Sequence, residues 1–368
     1  MKTVKKIVIT GGPCGGKSTG LEAVQKSLES IGYTVLLLPE LATDLILNGI
    51  SPETCGSSFE YQKLQVMLQL EKEKVYSLAA NLMKNDKIVI LCDRGVMDSK
   101  AYVTEEEFAK VLSDLSLNET VLRDNYDAVF HLLTAAKGKE EAYTLSNNTA
   151  RTETPEEARA LDDLTLAAWT GAPHLRVIDN KGDFNQKIEN LINEIMFFLG
   201  EPEPFEIERK YLIEYPDIEF LKSYPFCNAV EISQSYIKVN GENARVRKRG
   251  ADGGYTYYKT VKKNIDGIKR IEIEDILTAD EYEKLLSDSN QKTTIEKTRY
   301  CVVYDNRYFE IDVFPFSQDK AFMEIELTSE DEQVNLPPFI KVIKEVTEDK
   351  EYRNSSLALK IAKGIKPF

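Results

Sequence analysis

The chain has 368 residues, 42% apolar and 29% charged, which is too apolar and too mixed for a disordered polymer and long enough for two hydrophobic cores. Its formal charge of −14 opposes non-specific attraction to nucleic acid or an anionic membrane, so an anionic ligand must meet locally gathered lysine and arginine. The scattered cysteines Cys14, Cys55, Cys92, Cys227 and Cys301 show neither a disulfide framework nor zinc-ligand spacing, which fits a reducing cytoplasm.

The opening MKTVKKIVIT runs directly into a strand pattern, and no stretch approaches the ~18 apolar residues of a membrane span. A soluble cytoplasmic protein with no membrane span and no nucleic-acid partner is expected. Lys6 to Thr10 reads as a buried strand, followed by Leu21, Val24 and Leu28 at helical spacing. Further apolar runs come at Thr34 to Leu38, Ile88 to Cys92, Ala128 to Leu133 and Leu175 to Ile178. Uniformly apolar strands separated by helices predict an α/β domain whose parallel sheet is covered on both faces. After the apolar segment Ile192 to Leu199, the sequence Gly-Glu-Pro-Glu-Pro predicts a linker between domains at residues 1–200 and 204–368. Beyond it, period-2 alternation at Ile207 to Tyr211, Ala244 to Arg249, Ile271 to Asp275 and Tyr308 to Phe314 predicts antiparallel β-structure.

The segment Gly11, Gly12, Pro13, Cys14, Gly15, Gly16, Lys17, Ser18, Thr19 has P-loop spacing, between a strand and an amphipathic helix. Such a loop cradles phosphates on backbone N–H groups, with Lys17 reaching the outer phosphates and Ser18 ligating magnesium. Asp93, in Asp93-Arg94-Gly95 at the carboxyl end of a strand, is placed to hold the metal through water. Glu40, which follows the strand Thr34 to Leu38, either starts a helix or takes a proton from an acceptor hydroxyl. Cys14 is either an inert small residue or a thiol activated by the loop's positive field. These residues, with the segment Arg151 to Asp162, resemble the nucleoside-kinase-like P-loop family. More narrowly they are similar to ATPases grouped with ribosylnicotinamide kinases and the TRPL-translocation-defect proteins. The resemblance implies ATP or GTP as ligand and a lid in which Arg151 and Arg159 contact the phosphates. Gly95 stands where that family more usually has serine, which leaves open whether a phosphoryl group is transferred.

In the second half, strand parity places Glu206, Glu208 and Lys210 on one side, and likewise Arg245 with Arg247, Arg270 with Glu272 and Glu274, Lys297 with Arg299, Glu310 with Asp312, and Glu324 with Glu326. Isoleucine and valine occupy the opposite parity, which predicts a sheet closed around a polar interior where carboxylates hold Mg²⁺ or Mn²⁺ and cations clamp a polyphosphate. The series EIERK, RVRKR, RIEIED, KTR, EID, EIE resembles the CYTH family, the triphosphate tunnel metalloenzymes. The resemblance implies a closed antiparallel barrel that hydrolyses an inorganic or organic triphosphate. It implies metal ligation by Glu206, Glu208, Asp312, Glu324 and Glu326, with Glu206 and Glu208 catalytic; the first domain's own catalytic candidates are Lys17, Asp93 and Glu40. It assigns the triphosphate to Lys210, Arg245, Arg247, Lys259, Lys297 and Arg299, and Val346 to Leu359, with Tyr352 and Arg353, to a closing helix region. The rival reading is a nucleotide-binding regulatory or trafficking module whose tunnel takes an anionic ligand or a phospholipid headgroup, with peripheral lipid contact. His131, His174 and Trp169 receive no role, and the oligomeric state is open.

Overall fold

The computed structural model describes residues 2–143, 153–202, 207–239, 242–266, 269–289, 292–329 and 331–368. The chain divides into two compact units, Met1–Pro202 and Glu203–Phe368. No helix among the described residues is long and apolar enough to cross a membrane.

The first unit runs β1 (Thr3–Thr10), α1 (Lys17–Ser30), β2 (Thr34–Leu38), α2 (Leu41–Leu47), α3 (Ser58–Leu82), β3 (Lys87–Asp93), a 3-10 turn (Val96–Tyr102), α4 (Glu105–Leu115), α5 (Glu119–Asp124), β4 (Ala128–Leu132), α6 (Pro155–Trp169), β5 (Leu175–Ile178) and α7 (Phe184–Phe198). The strands pair in parallel in the order β2-β3-β1-β4-β5. Ile7, Ile9, Val89, Leu91 and Phe130 share a core with Leu21, Val24 and Leu28 of α1, so the helix is fixed by burial of its apolar stripe. Central β1 lies between β3 and β4, and ligands of open α/β sheets bind at the carboxyl ends where connections diverge to either side.

The second unit runs β6 (Ile207–Glu214), α8 (Ile218–Ser223), β7 (Cys227–Val239), β8 (Glu242–Ala251), β9 (Gly254–Asp266), β10 (Lys269–Leu277), α9 (Ala279–Asp288), β11 (Thr293–Tyr304), β12 (Arg307–Val313), β13 (Lys320–Leu327), β14 (Val342–Glu345) and α10 (Asn354–Ala362). Its strands pair antiparallel in the order β10-β9-β8-β7-β11-β12-β13-β6-β14. Two hairpins turn on left-handed pairs, Asp252-Gly253 (φ 51° and 79°) and Asp305-Asn306 (φ 47° and 58°), the geometry that matches strand twist. One sheet face buries Tyr211, Ile213, Val302, Phe309, Ile311, Met323 and Ile325. The other carries the charges, and Leu212, Ile295 and Phe322 at one end of it are covered by Leu357 and Ala358 of α10. Lys210 of β6 and Tyr236 of β7 stand four strand steps apart, ~19 Å in a flat sheet, yet the Lys210 charge acts on the Tyr236 hydroxyl, so the charged face curls inward.

The expected closed barrel is not what the ladder forms. Among the described residues β10 pairs only with β9 and β14 only with β6, so the sheet has two edges. Closure needs a ladder between the end strands, and β14 offers only four exposed residues.

Candidate functional site

In the first unit the turn from β1 into α1 is shaped by glycines that no other residue could replace at two positions. Gly11 (φ 135°) lies so near β4 that an added Cβ would sit 2.1 Å from the Leu132 carbonyl oxygen. Gly16 (φ 90°) is the N-cap of α1, with no side chain capping the helix, and its own absent Cβ would fall 2.7 Å from the Phe184 ring. Uncapped first-turn N–H groups and the helix dipole make this end attractive to an anion, and Ser18 and Thr19 beside it are exposed. The loop is tied down from behind: the Asp162 carboxylate accepts from Gly12 N (2.8 Å), Thr134 N (3.1 Å) and Lys137 Nζ (2.7 Å), and it contacts His131 Nε2 (3.2 Å). Pro13 O accepts from the Thr134 hydroxyl, and Cys14 O from Ala135 N (3.3 Å). Lys17 is buried, and its Nζ donates to the loop's own carbonyls, Gly11 O (3.0 Å) and Gly12 O (2.8 Å). Burial, followed by the Arg94 charge, pulls its ammonium well below the usual lysine range.

The carboxyl ends of β2 and β3 bring the next group together. Arg94, held at φ 70°, donates Nε to Glu40 (2.7 Å) and Nη1 to Asp98 (3.0 Å). Burial alone would raise the Glu40 carboxyl, but the Arg94 charge and hydrogen bond bring it down to about 2. Asp93 goes the other way: burial, then the neighbouring Glu40 charge, pushes its carboxyl up. Its buried Oδ1 has no hydrogen-bond partner among the described residues, which suits an atom meant for a cation or its water. Asp98 accepts from Arg94, the Thr10 hydroxyl, Gly95 N (3.0 Å) and Trp169 Nε1 (3.0 Å), so the tryptophan given no role in sequence orients the carboxylate that holds Arg94.

Asp162 yields a stability prediction. Replacing it by Asn removes a charged acceptor of several donors and is expected to cost ~2–3 kcal/mol at neutral pH. Burial opposes its ionisation, but His131 and Lys137 hold its carboxyl well below the usual range. A depressed carboxylate contributes stability above its unfolded pKa of ~3.9 that is lost as pH falls toward its folded value, so the gap between wild type and Asp162→Asn should shrink below about pH 4. Trp169, the sole tryptophan and fully buried in this unit, reports the unfolding by fluorescence.

In the second unit the charges converge on β6, β8, β11, β12 and β13. Arg299 is the hub: Nε donates to Asp312 Oδ1 (2.7 Å), Nη2 to Asp312 Oδ2 (2.8 Å) and Glu324 Oε2 (2.9 Å), and Nη1 to Glu310. Lys297 pairs with Asp312, and Lys210 with Glu324 Oε1 (2.7 Å) while lying 4.6 Å over the Phe322 ring. Burial would raise the carboxyls of Asp312 and Glu324, yet the surrounding cations hold both below their usual range. Across the curl, burial and then the Arg245 charge bring Arg247 down to about 10, and its buried Nε has no partner among the described residues. Arg299 and Glu310 also perturb Arg247, as Lys210 perturbs Tyr236, so β8 and β7 look onto the same charged cradle as β6 and β11. Register sets Arg247 opposite Gln234 and Tyr258, and Arg245 opposite Tyr236 and Thr260. Glu274 accepts from Thr260 Oγ1 (2.8 Å).

Among the sequence candidates, Lys210, Arg245, Arg247, Lys297, Arg299, Asp312 and Glu324 share the concave face. Lys259 does not: it stands opposite Val246, on the reverse side from Arg245 and Arg247, because neighbours on a strand alternate faces. Glu208 stands directly opposite Glu326 across β6 and β13. Arg159 reaches Ala136 O (2.9 Å) and Glu156 (2.6 Å) instead of the phosphate loop itself. Arg151 and Glu206 lie outside the described residues. Sequence reading gave no role to Asp98, or to His131 and Trp169, which orient carboxylates from distant elements, and it left Gln234, Tyr236 and Tyr258 unremarked. Among the described residues no three His, Cys, Asp or Glu side chains form a metal-ligand cluster. The Glu208–Glu326 pair still fits a divalent cation, because two carboxylates directly opposite each other across β6 and β13 offer the oxygen donors that a hard cation prefers.

Residues 6–187 match the family model of an AAA domain, and residues 204–355 that of a CYTH domain. An inorganic triphosphatase of Nitrosomonas europaea is 34% identical over 159 residues, 42% of this chain and 98% of that protein. One of Acetivibrio thermocellus is 31% identical over 154 residues, 41% of this chain and 92% of that protein. A crystal structure of an inorganic triphosphatase, 33% identical, covers 42% of this chain and 97% of its own, with a TM-score of 0.31.

Proposed function

We propose, for a chain that belongs to the CYTH family over residues 204–355 and carries an AAA domain over residues 6–187, that its charged cradle hydrolyses a small triphosphate. The observation that carries this is the Arg299 hub, where Lys210, Lys297 and Arg299 face carboxylates that a polyphosphate would displace. A triphosphate entering between β8 and β11 would exchange the Asp312 and Glu324 contacts of these cations for its own oxygens, and Arg247 Nε would gain an acceptor that it lacks among the described residues. Glu208, Glu326, Asp312 and Glu324 would hold Mg²⁺ or Mn²⁺, which supplies polarisation of the terminal phosphoryl group and an activated water. The apolar end formed by Phe322, Ile295 and α10 limits how far a chain of phosphates extends, favouring short substrates.

For the first unit we infer ATP or GTP binding with Mg²⁺, the phosphates on the α1 N-terminus and the metal near Ser18 and Asp93. One observation favours a binding switch over phosphoryl transfer: Glu40, locked by Arg94 and held at about 2, is a weak base at neutral pH.

The test measures phosphate release from inorganic triphosphate, thiamine triphosphate, ATP and GTP with Mg²⁺ or Mn²⁺ in wild type, Lys17→Ala and Arg299→Ala. Hydrolysis lost in Arg299→Ala and retained in Lys17→Ala, with ATP and GTP binding lost only in Lys17→Ala, supports both readings. The reverse pattern assigns the hydrolysis to the P-loop, and turnover unchanged in both variants overturns the assignment to either site.

A further inference from the structure

Helix α3 carries apolar side chains on both faces. Its inner face buries Tyr61, Val66 and Ala80 together with Gln62, Gln69 and Glu73, and its outer face exposes Leu64 (43%), Met67 (45%), Val75 (59%), Leu78 (58%) and Leu82 (86%). At ~3.6 residues per turn these side chains lie along one line that spans ~27 Å. Scattered exposed leucines need no explanation, but a line of them along a 25-residue helix marks a docking face.

The order of residues on that line identifies the occupant. Leu64, Met67, Glu71, Lys74, Leu78 and Leu82 follow one another at the three-and-four spacing of a helix-packing seam. Read backwards, the series has the same character with acid and base exchanged. Laid antiparallel on a second copy about a two-fold axis near residue 73, Leu64 meets Leu82, Met67 meets Leu78, and Glu71 meets Lys74, each contact occurring twice. An isologous interface requires this self-complementarity. Within one copy Glu71 and Lys74 approach only to 4.0 Å and are 72% and 68% exposed, so both remain available. We propose that α3 is a homodimer interface, formed by antiparallel pairing of this helix with the same helix of a second copy.

The test is the mass of the full chain by sedimentation and light scattering across a range of concentrations. Wild type is expected to be a dimer, and Leu78→Glu with Leu82→Glu a monomer. Glu71→Lys is expected to weaken dimerisation at least about tenfold by setting like charges together twice, and Glu71→Lys combined with Lys74→Glu to restore it. Retained Trp169 fluorescence and retained triphosphate hydrolysis show that the variants are folded. A wild type that is monomeric at every concentration overturns the proposal. So does a dimer that survives the leucine substitutions, or a charge exchange that fails to rescue the single reversal.

Discussion

Arg299→Ala is expected to lower kcat/KM for inorganic triphosphate by about 10²–10³-fold, the range found when one preorganised donor to a developing anion is removed. The same change should destabilise the second unit by ~3–5 kcal/mol, because Asp312 and Glu324 are buried carboxylates that lose their shared guanidinium. The two effects separate in Arg299→Lys. That ammonium can neutralise part of the charge and recover stability, but it cannot reach Asp312, Glu310 and Glu324 at once, so the rate should stay low. Initial rates at several triphosphate concentrations, alongside urea unfolding followed by circular dichroism, read both. A variant as active as wild type would remove Arg299 from the site.

The second large effect concerns the metal. Glu208→Gln combined with Glu326→Gln is expected to abolish Mg²⁺- or Mn²⁺-dependent hydrolysis, since two carboxylates facing each other across β6 and β13 are the oxygen donors that a hard cation prefers. In wild type, added Mg²⁺ or Mn²⁺ should raise the melting temperature; in the double variant it should not. A wild type with no metal-induced shift, or a variant that keeps the shift, would locate the cation elsewhere. This readout needs no turnover, so it tests the metal site separately from the reaction.

The two sites differ in how much of them could be read in advance. The phosphate loop is local: nine consecutive residues between a strand and a helix state their own geometry, because φ values that only glycine tolerates must be written as glycine. What fastens that loop is not local. Gly12 and Asp162 are 150 positions apart, and Asp98 meets Trp169 across 71, so no spacing rule could pair them. Asp162 lay within the segment that carried the resemblance, but only the packing of α6 behind the loop makes it a latch.

The period-2 parity of the second half determined by itself that Arg245, Arg247, Lys297, Arg299, Asp312 and Glu324 would share faces of their own strands, because alternation is a property of any extended chain. Which strands then look at one another was decided only by the tertiary structure. The Asp252-Gly253 turn sets the β8–β9 register that carries Lys259 to the reverse side, since a two-residue turn leaves one pairing open to the chain. Curling brings Lys210 near Tyr236, and the short, exposed β14 leaves the sheet with an edge where a closed barrel was expected. Parity along a strand follows from the covalent chain, whereas closure and facing depend on twist and pairing summed over every strand, a sum that no single segment encodes.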